Sequence, residues 1–204
     1  QAISWKKVGS LRLAGSPARW SEIRRAMGQA KSFGVECHSL SATEAKAHFP
    51  YITTDGIEGA ALIPGDGYID PYSLTMAYAK AARMNGARIE EGVCVEEIVI
   101  NDGRVSGVVT TGGSIACDVL VNCAGLWAKR VGRMAGIELA AGIVEHQYFL
   151  TEKTLSFDPG LTTLRDPDNN FYLKPDTGAF AIGGWEHGSV GFHRGLPPFS
   201  FGRE

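Results

Sequence analysis

The stretch from Asp118 to Ala128, Asp-Val-Leu-Val-Asn-Cys-Ala-Gly-Leu-Trp-Ala, constrains the fold more than any other part of the chain. Val119 to Val121 form an uninterrupted apolar run between polar residues, the pattern of a buried strand, and from Leu126 the apolar positions switch to helical spacing. Between them lie the small residues Cys123, Ala124 and Gly125. A strand that ends in small residues and opens a helix lets backbone approach a bulky ligand. Its free amide groups and the positive end of the helix dipole then face a phosphate or the edge of a planar cofactor. The same residues also suit an ordinary strand-to-helix turn.

A chain of 204 residues can bury a sizeable core, as one large domain or as two lobes sharing a sheet. Its 44% hydrophobic content, with charges interspersed, excludes disordered and collagen-like classes. A net charge of -2 with no long basic run gives no electrostatic footprint for nucleic acid. No apolar segment approaches the ~20 residues that span a bilayer, so no membrane partner is expected, and the first residues show no signal-peptide pattern. The four cysteines (Cys37, Cys94, Cys117, Cys123) have no Cys-x-x-Cys spacing, so neither a metal site nor a redox pair is indicated. They read as reduced thiols in a cytoplasm-like compartment. Gln1 begins in mid-pattern, and Pro197, Pro198 and the run Phe199 to Glu204 resemble no helix or strand stop. A truncated piece of a longer protein is expected.

Several elements can be read in chain order. Val8 to Leu13 alternates like a half-buried strand, and Trp20, Ile23, Ala26, Met27, Ala30 and Phe33 mark one face of a helix over 18–33, with Gly34 as its stop. Ser41 and Glu44 form a capping box for a short helix ending before Pro50. Glu58 to Ile63 is a strand. Asp70 is an N-cap with Pro71 at the first helical position, and Leu74, Ala77, Tyr78, Ala81 and Ala82 make a narrow stripe suited to close packing on a sheet, ending at Asn85-Gly86. Strands are expected over 87–91, 93–100, 104–110 and 114–116, with a hairpin turn at Asn101-Asp102-Gly103. A helix over 126–136 follows, then a long strand from Val144 to Glu152. A turn at 165–170, a strand over 171–174, a tight turn at Asp176-Thr177-Gly178 and a strand over 179–182 close the pattern. Long antiparallel strands after an α/β region suggest a second sheet.

Four motifs in this order carry a family resemblance. Gly-Asp-Gly-Tyr-Ile-Asp-Pro-Tyr-Ser-Leu-Thr-Met-Ala (65–77), Val-Asn-Cys-Ala-Gly-Leu-Trp-Ala (121–128), Glu-His-Gln-Tyr-Phe-Leu-Thr-Glu (145–152) and Phe-Tyr-Leu-Lys with Ile-Gly-Gly-Trp-Glu (171–174, 182–186) resemble the dimethylglycine and sarcosine dehydrogenase group of FAD-dependent amine oxidoreductases. The likeness runs from about Val8 to about Glu186 and places the chain in the D-amino acid oxidase-like superfamily. It implies a mixed α/β fold, a partial FAD-binding dinucleotide-type domain with an antiparallel substrate-binding sheet. The expected division is 1–65, the start of a substrate-covering lobe; 66–138, FAD-binding region with a β meander; and 139–204, substrate-domain strands.

The implied chemistry is oxidative demethylation of an N-methyl amino acid, with hydride passing from the methyl carbon to flavin N5. The iminium left behind yields formaldehyde or is captured by a folate held in another domain. Implied partners are a small amine substrate and an electron acceptor, oxygen or an electron-transfer flavoprotein; in a eukaryote the implied compartment is the mitochondrial matrix. By position, Val95 contacts the adenine side through its backbone, Ala124, Gly125 and Trp127 line the flavin nucleotide, and His146 and Tyr172 match an active-site histidine and tyrosine. The residue chemistry agrees: an amine gives up hydride only with its lone pair free, and a histidine can take its proton. A tyrosine hydroxyl can hold the substrate carboxylate or orient that histidine. His146 as an ordinary sheet histidine and Tyr172 as a packing aromatic are the structural alternatives. His38, His48, His187 and His193 show no partner pattern and read as surface residues; Lys174 reads as a solvated lysine.

The sequence holds no strand-loop-helix with Gly-x-Gly-x-x-Gly for the FAD pyrophosphate, no nearby histidine for covalent flavin, and no folate module. It therefore reads as the inactive middle of a longer enzyme. Two other readings stay open: a non-catalytic relative like the pyruvate dehydrogenase phosphatase regulatory subunit, and another FAD amino acid oxidase.

Overall fold

The computed structural model describes residues 4–153, 158, 160–176, 178–189 and 191. Its elements in chain order are β1 (Ser10–Ala14), α1 (Pro17–Ser32), β2 (His38–Leu40), α2 (Ala42–His48), β3 (Gly59–Ile63) and α3 (Pro71–Met84). After them come β4 (Val95–Asn101), β5 (Arg104–Thr110), β6 (Gly113–Ala116) and α4 (Ala128–Met134), the last preceded by a 3-10 turn at Gly125–Trp127. The final four are β7 (Tyr148–Leu150), β8 (Thr163–Asp166), β9 (Phe171–Asp176) and β10 (Ala179–Gly184). They fall into two compact units: Gln1–Asn85 with His146–Gly188, and Gly86–Glu145 with Ser189–Glu204.

The first unit is a seven-stranded sheet in the order β2-β3-β1-β8-β9-β10-β7. All its pairs are antiparallel except β1 with β8, which run parallel. The sheet is thus antiparallel but for one pair, and that parallel pair is where residues from early and late in the chain are joined edge to edge. Strand alternation separates two rows of directly opposed residues. Leu62, Leu11, Leu164, Leu173 and Ile182 form one apolar row across five strands. The neighbouring row, Ala61, Arg12, Arg165, Tyr172, Gly183 and Tyr148, lies on the opposite face, since a one-residue step in a strand reverses the side chain.

The apolar row is covered by α2 and the loop after it: Ala45, Phe49, Leu161 and Phe180 complete this core, with the Phe49 and Phe180 rings 5.9 Å apart. The capping box forms as the sequence indicates, Ser41 Oγ accepting from the Glu44 amide and the Glu44 carboxylate accepting from the Ser41 amide at 2.7 Å. These bonds hold the Glu44 carboxyl below its usual pKa. On the other face, α1 buries Ile23 and Met27 against Ala14, Cys37 and Ala61. Its start is tied down twice. Ser16 caps it by accepting from the Arg19 amide at 3.2 Å, and Asp168, from the turn after β8, accepts from the Gly15 amide at 2.8 Å.

Helix α3 starts at Asp70, which accepts from the Tyr72 and Ser73 amides, and Pro71 as read from sequence, but its stripe does not pack onto a sheet. None of its residues is buried, and Tyr78 is 70% exposed. The small residues along it permit close approach, but among the described residues none of the helix is buried against a strand. Three expected strands also differ. Residues 87–91 and 119–121 take no strand structure, and Val144 to Glu152 shortens to β7, with Val144 in an isolated bridge to Gly191. A strand exists only as part of a ladder; Val119 and Val121, 78% and 75% exposed, have none among the described residues. Of the remaining readings, His193, Pro197 to Glu204 and the Thr177 of the tight turn lie outside the described residues.

The second unit is the β4-β5-β6 meander and α4. Asp102 and Gly103 both have positive φ, 50° and 74°, the conformation a two-residue hairpin needs. Glu138, just past α4, pairs with Lys129 at 3.0 Å and Arg133 at 2.8 Å. Hydrogen bonds from these two cations pull its carboxyl far below the ordinary value, to about 2.

Two outcomes follow. Phe49→Ala should lower the unfolding free energy by about 3–5 kcal/mol and Ser41→Ala by about 1 kcal/mol, read by urea denaturation. For Glu138, the depressed pKa means the contact is intact above the ordinary carboxylate range and is lost as pH falls through about 2. A carboxyl NMR titration should show that late midpoint, returning toward 4.5 in Arg133→Gln.

Candidate active site

In the first unit, sheet geometry sets Tyr172 in the middle of the row Arg165, Tyr172, Gly183, Tyr148. Its ring lies across Gly183: a Cβ added there would sit 2.4 Å from the Tyr172 hydroxyl and 2.5 Å from the ring carbon bearing it. Only a glycine leaves that space. The ring is walled by Trp185, centroids 5.1 Å apart at 50°. On Trp185 in turn rests the Arg165 guanidinium, 4.2 Å from the ring centre. This is the range of a cation–π contact, and it leaves the in-plane N–H groups of the guanidinium free.

His146 is not on a strand but in the irregular segment before β7, because β7 begins only at Tyr148. Its Nδ1 is 3.3 Å from the Glu186 carboxylate. With Nδ1 donating there, Nε2 is left as an acceptor. Trp185 and Glu186 are consecutive, so one dipeptide at the end of β10 touches both Tyr172 and His146. Lys174, read as solvated, pairs with Asp176 at 3.4 Å. His38, which shows no partner pattern in the sequence, lies in β2 with its Nε2 2.8 Å from the Glu36 carboxylate two residues before it.

In the second unit, the bend before α4 is built by Asn122. Its side-chain oxygen accepts from the Ala124 amide at 3.2 Å, and its amide nitrogen donates to the Ala128 carbonyl at 2.9 Å. Gly125 follows with φ +53°, and a Cβ there would meet nothing within 4 Å. Trp127 closes the 3-10 turn by donating its amide to the Ala124 carbonyl at 2.9 Å. Val95 sits at the start of β4, opposite Thr110, beside a register shift between Val95 and Glu97. The amide of Ala124 is thus spent within the bend, while Gly125 presents bare backbone beside the exposed Val121 and Leu126. Unscreened backbone with an apolar rim fits the edge of a flat cofactor, and Gly125 is the residue that would approach it most closely.

The sequence model of the family described as "FAD dependent oxidoreductase" matches residues 1–201. The chain belongs to this family of FAD-dependent oxidoreductases. Within it, the chain is 36% identical over 203 residues to human mitochondrial sarcosine dehydrogenase, covering 97% of this chain and 22% of that protein. It is 32% identical over 189 residues to human mitochondrial dimethylglycine dehydrogenase, covering 91% and 22%. Among solved structures, an L-proline dehydrogenase from P. horikoshii superposes with a TM-score of 0.82 at 26% identity, over 98% of this chain and 54% of that one. The chain thus spans about a fifth of the length of these curated relatives. The mixed α/β architecture matches the FAD-dependent oxidoreductase fold. Among the described residues no helix is long and apolar enough to cross a membrane.

Sequence reading missed Gly183, Trp185, Glu186, Arg165 and Asn122 as individual site residues. The first three were visible inside the motif at 182–186, and Asn122 inside the opening stretch, where an Asx residue before a helix start is the available signal. Arg165 carried none. Gly183→Ala should destabilise the chain by about 1–3 kcal/mol through the clash with the Tyr172 ring. In a Tyr172→Ala background the same substitution should cost close to nothing; a double-mutant cycle in urea measures the difference.

Proposed function

We propose that this segment belongs to an FAD-dependent enzyme that oxidatively demethylates an N-methyl amino acid of the sarcosine or dimethylglycine type. The similarity to sarcosine dehydrogenase along nearly the whole chain supports the substrate class. The observation that carries a catalytic role is the His146–Glu186 pair, which orients an imidazole and leaves one nitrogen able to take a proton. The flavin, when bound, supplies a two-electron acceptor for the carbon next to nitrogen. His146 accepts the proton from the substrate ammonium at Nε2, so that the nitrogen lone pair is free when the C–H bond breaks. Glu186 holds the ring and stabilises the imidazolium that forms. Tyr172, fixed between Gly183 and Trp185, offers a hydroxyl to the substrate.

In this reading residues 1–65 and 139–204 form the substrate-covering part and 66–138 the flavin side, where Val95, Ala124, Gly125 and Trp127 line the nucleotide. The electron acceptor is oxygen or an electron-transfer flavoprotein, and in a eukaryotic cell the enzyme works in the mitochondrial matrix. In a full-length protein carrying this segment, His146→Ala should slow flavin reduction by sarcosine or dimethylglycine by about 10²-fold or more while FAD content stays near normal. Stopped-flow absorbance reads the first quantity and the flavin-to-protein ratio the second. An unchanged reduction rate removes His146 from the mechanism.

A further inference from the structure

Strand β7 closes one end of the seven-stranded sheet, paired with β10 on one side and with no strand on the other among the described residues. An open sheet edge is ordinarily blunted by a charge, a proline or a bulge. This one reads Tyr148-Phe149-Leu150, and all three side chains are exposed, Phe149 at 61%. The sequence around it has the pattern of a longer strand, from Val144 to Glu152, yet the ladder to β10 takes up only these three residues. Strand-forming sequence outruns the pairing that the chain itself supplies.

The ladder to β10 fixes which backbone groups face outward. Thr151 donates its amide to the Phe180 carbonyl at 3.0 Å, so Thr151 and, two residues back, Phe149 turn their amides and carbonyls toward β10. Alternation leaves those of Tyr148 and Leu150 pointing away from the sheet. A further antiparallel strand must bond to these two residues.

A second copy of the same edge meets that requirement. With a two-fold axis at Phe149, Tyr148 stands opposite the partner's Leu150 and Leu150 opposite the partner's Tyr148, which are the pairs whose backbone groups are open. Phe149 meets the partner's Phe149 in the closer, non-hydrogen-bonded kind of pair. Further out, Gln147 faces the partner's Thr151, His146 the partner's Glu152, and Glu145 the partner's Lys153. Each opposed pair shares a face and is matched in chemistry, apolar with apolar, polar with polar and acid with base. Glu145, Glu152 and Lys153 are exposed and make no ion pair among the described residues. Moving the axis two residues either way keeps the backbone bonds but sets Glu145 or Lys153 against Phe149, so charge selects one register.

We propose that β7 is a homodimer edge, at which two copies of this chain pair antiparallel through Tyr148-Phe149-Leu150 and join their sheets. Glu145 and Lys153 set the register, and the partner's Glu152 stands opposite His146. The pairing is independent of which amine the enzyme oxidises.

The test is the association state of a full-length protein carrying this segment, measured by sedimentation velocity over a range of concentrations. A monomer–dimer equilibrium is expected. Lys153→Glu and Glu145→Lys should each raise its dissociation constant about tenfold, since each sets like charges opposite one another at both ends of the paired edge. The double variant exchanges the signs and should return to within about twofold of the unchanged protein. Far-UV circular dichroism checks that each variant folds. If the charge variants do not fold, cross-linking decides. In a non-hydrogen-bonded antiparallel pair the Cα atoms are about 4.5 Å apart, inside the roughly 4.4–6.8 Å that a disulfide spans. Phe149→Cys should therefore link two chains through position 149 on oxidation with diamide, as read by mass spectrometry, whereas Gln147→Cys should give no self-linked product. A protein that stays monomeric overturns the proposal, and leaves β7 to a strand from elsewhere in the longer polypeptide or from another protein. A dimer indifferent to the charge exchange overturns it as well, because that dimer forms through another surface.

Discussion

The parallel ladder between β1 and β8 is the contact on which the first unit depends. It joins residues 10–12 to residues 163–165 across most of the chain length. The intervening chain therefore leaves the sheet after α3 and returns at His146. A parallel pair cannot be closed by a tight turn and needs a long crossover; here that crossover includes Gly86–Glu145 of the second unit. The loop-closure entropy of such a contact is considerable, and the apolar row Leu62, Leu11, Leu164, Leu173 and Ile182 offsets it by burying side chains from both halves in one core. Asp168 reinforces the same junction by capping the start of α1 from the turn after β8.

That ladder also lines up residues of the candidate site. The step that sends Leu11 and Leu164 into the core sends Arg12 and Arg165 to the opposite face, in line with Tyr172 and Gly183. One register thus sets both the core and the polar row. A slip of one residue would exchange them, so stability of the core and geometry of the site are coupled through the same hydrogen bonds. The end of β10 adds the remaining parts, Trp185 against Tyr172 and Glu186 against His146.

The second unit works differently. Its bend at Asn122 to Trp127 is held by local bonds, the Asn122 side chain bridging the Ala124 amide and the Ala128 carbonyl. These bonds span six residues at most, which is why a short motif can carry the shape of the bend. The exposed Val119 and Val121 beside it are apolar surface of the kind that marks a contact face.

What the sequence determined by itself was local. The capping box at Ser41 and Glu44, the Asp70-Pro71 helix start, the hairpin at Asp102-Gly103 and the family motifs each depend on residues a few positions apart, whose backbone preferences act without the rest of the fold. His146 and Tyr172 were legible only through their motifs. Tertiary structure alone decided that 119–121 is not a strand, that α3 buries nothing, and that β7 is three residues long, because a ladder or a packed face needs a partner that local pattern does not name. It also decided that Arg165, Trp185 and Tyr172 meet. Cross-strand neighbours are fixed by register between segments distant in sequence, and no spacing along the chain encodes that distance.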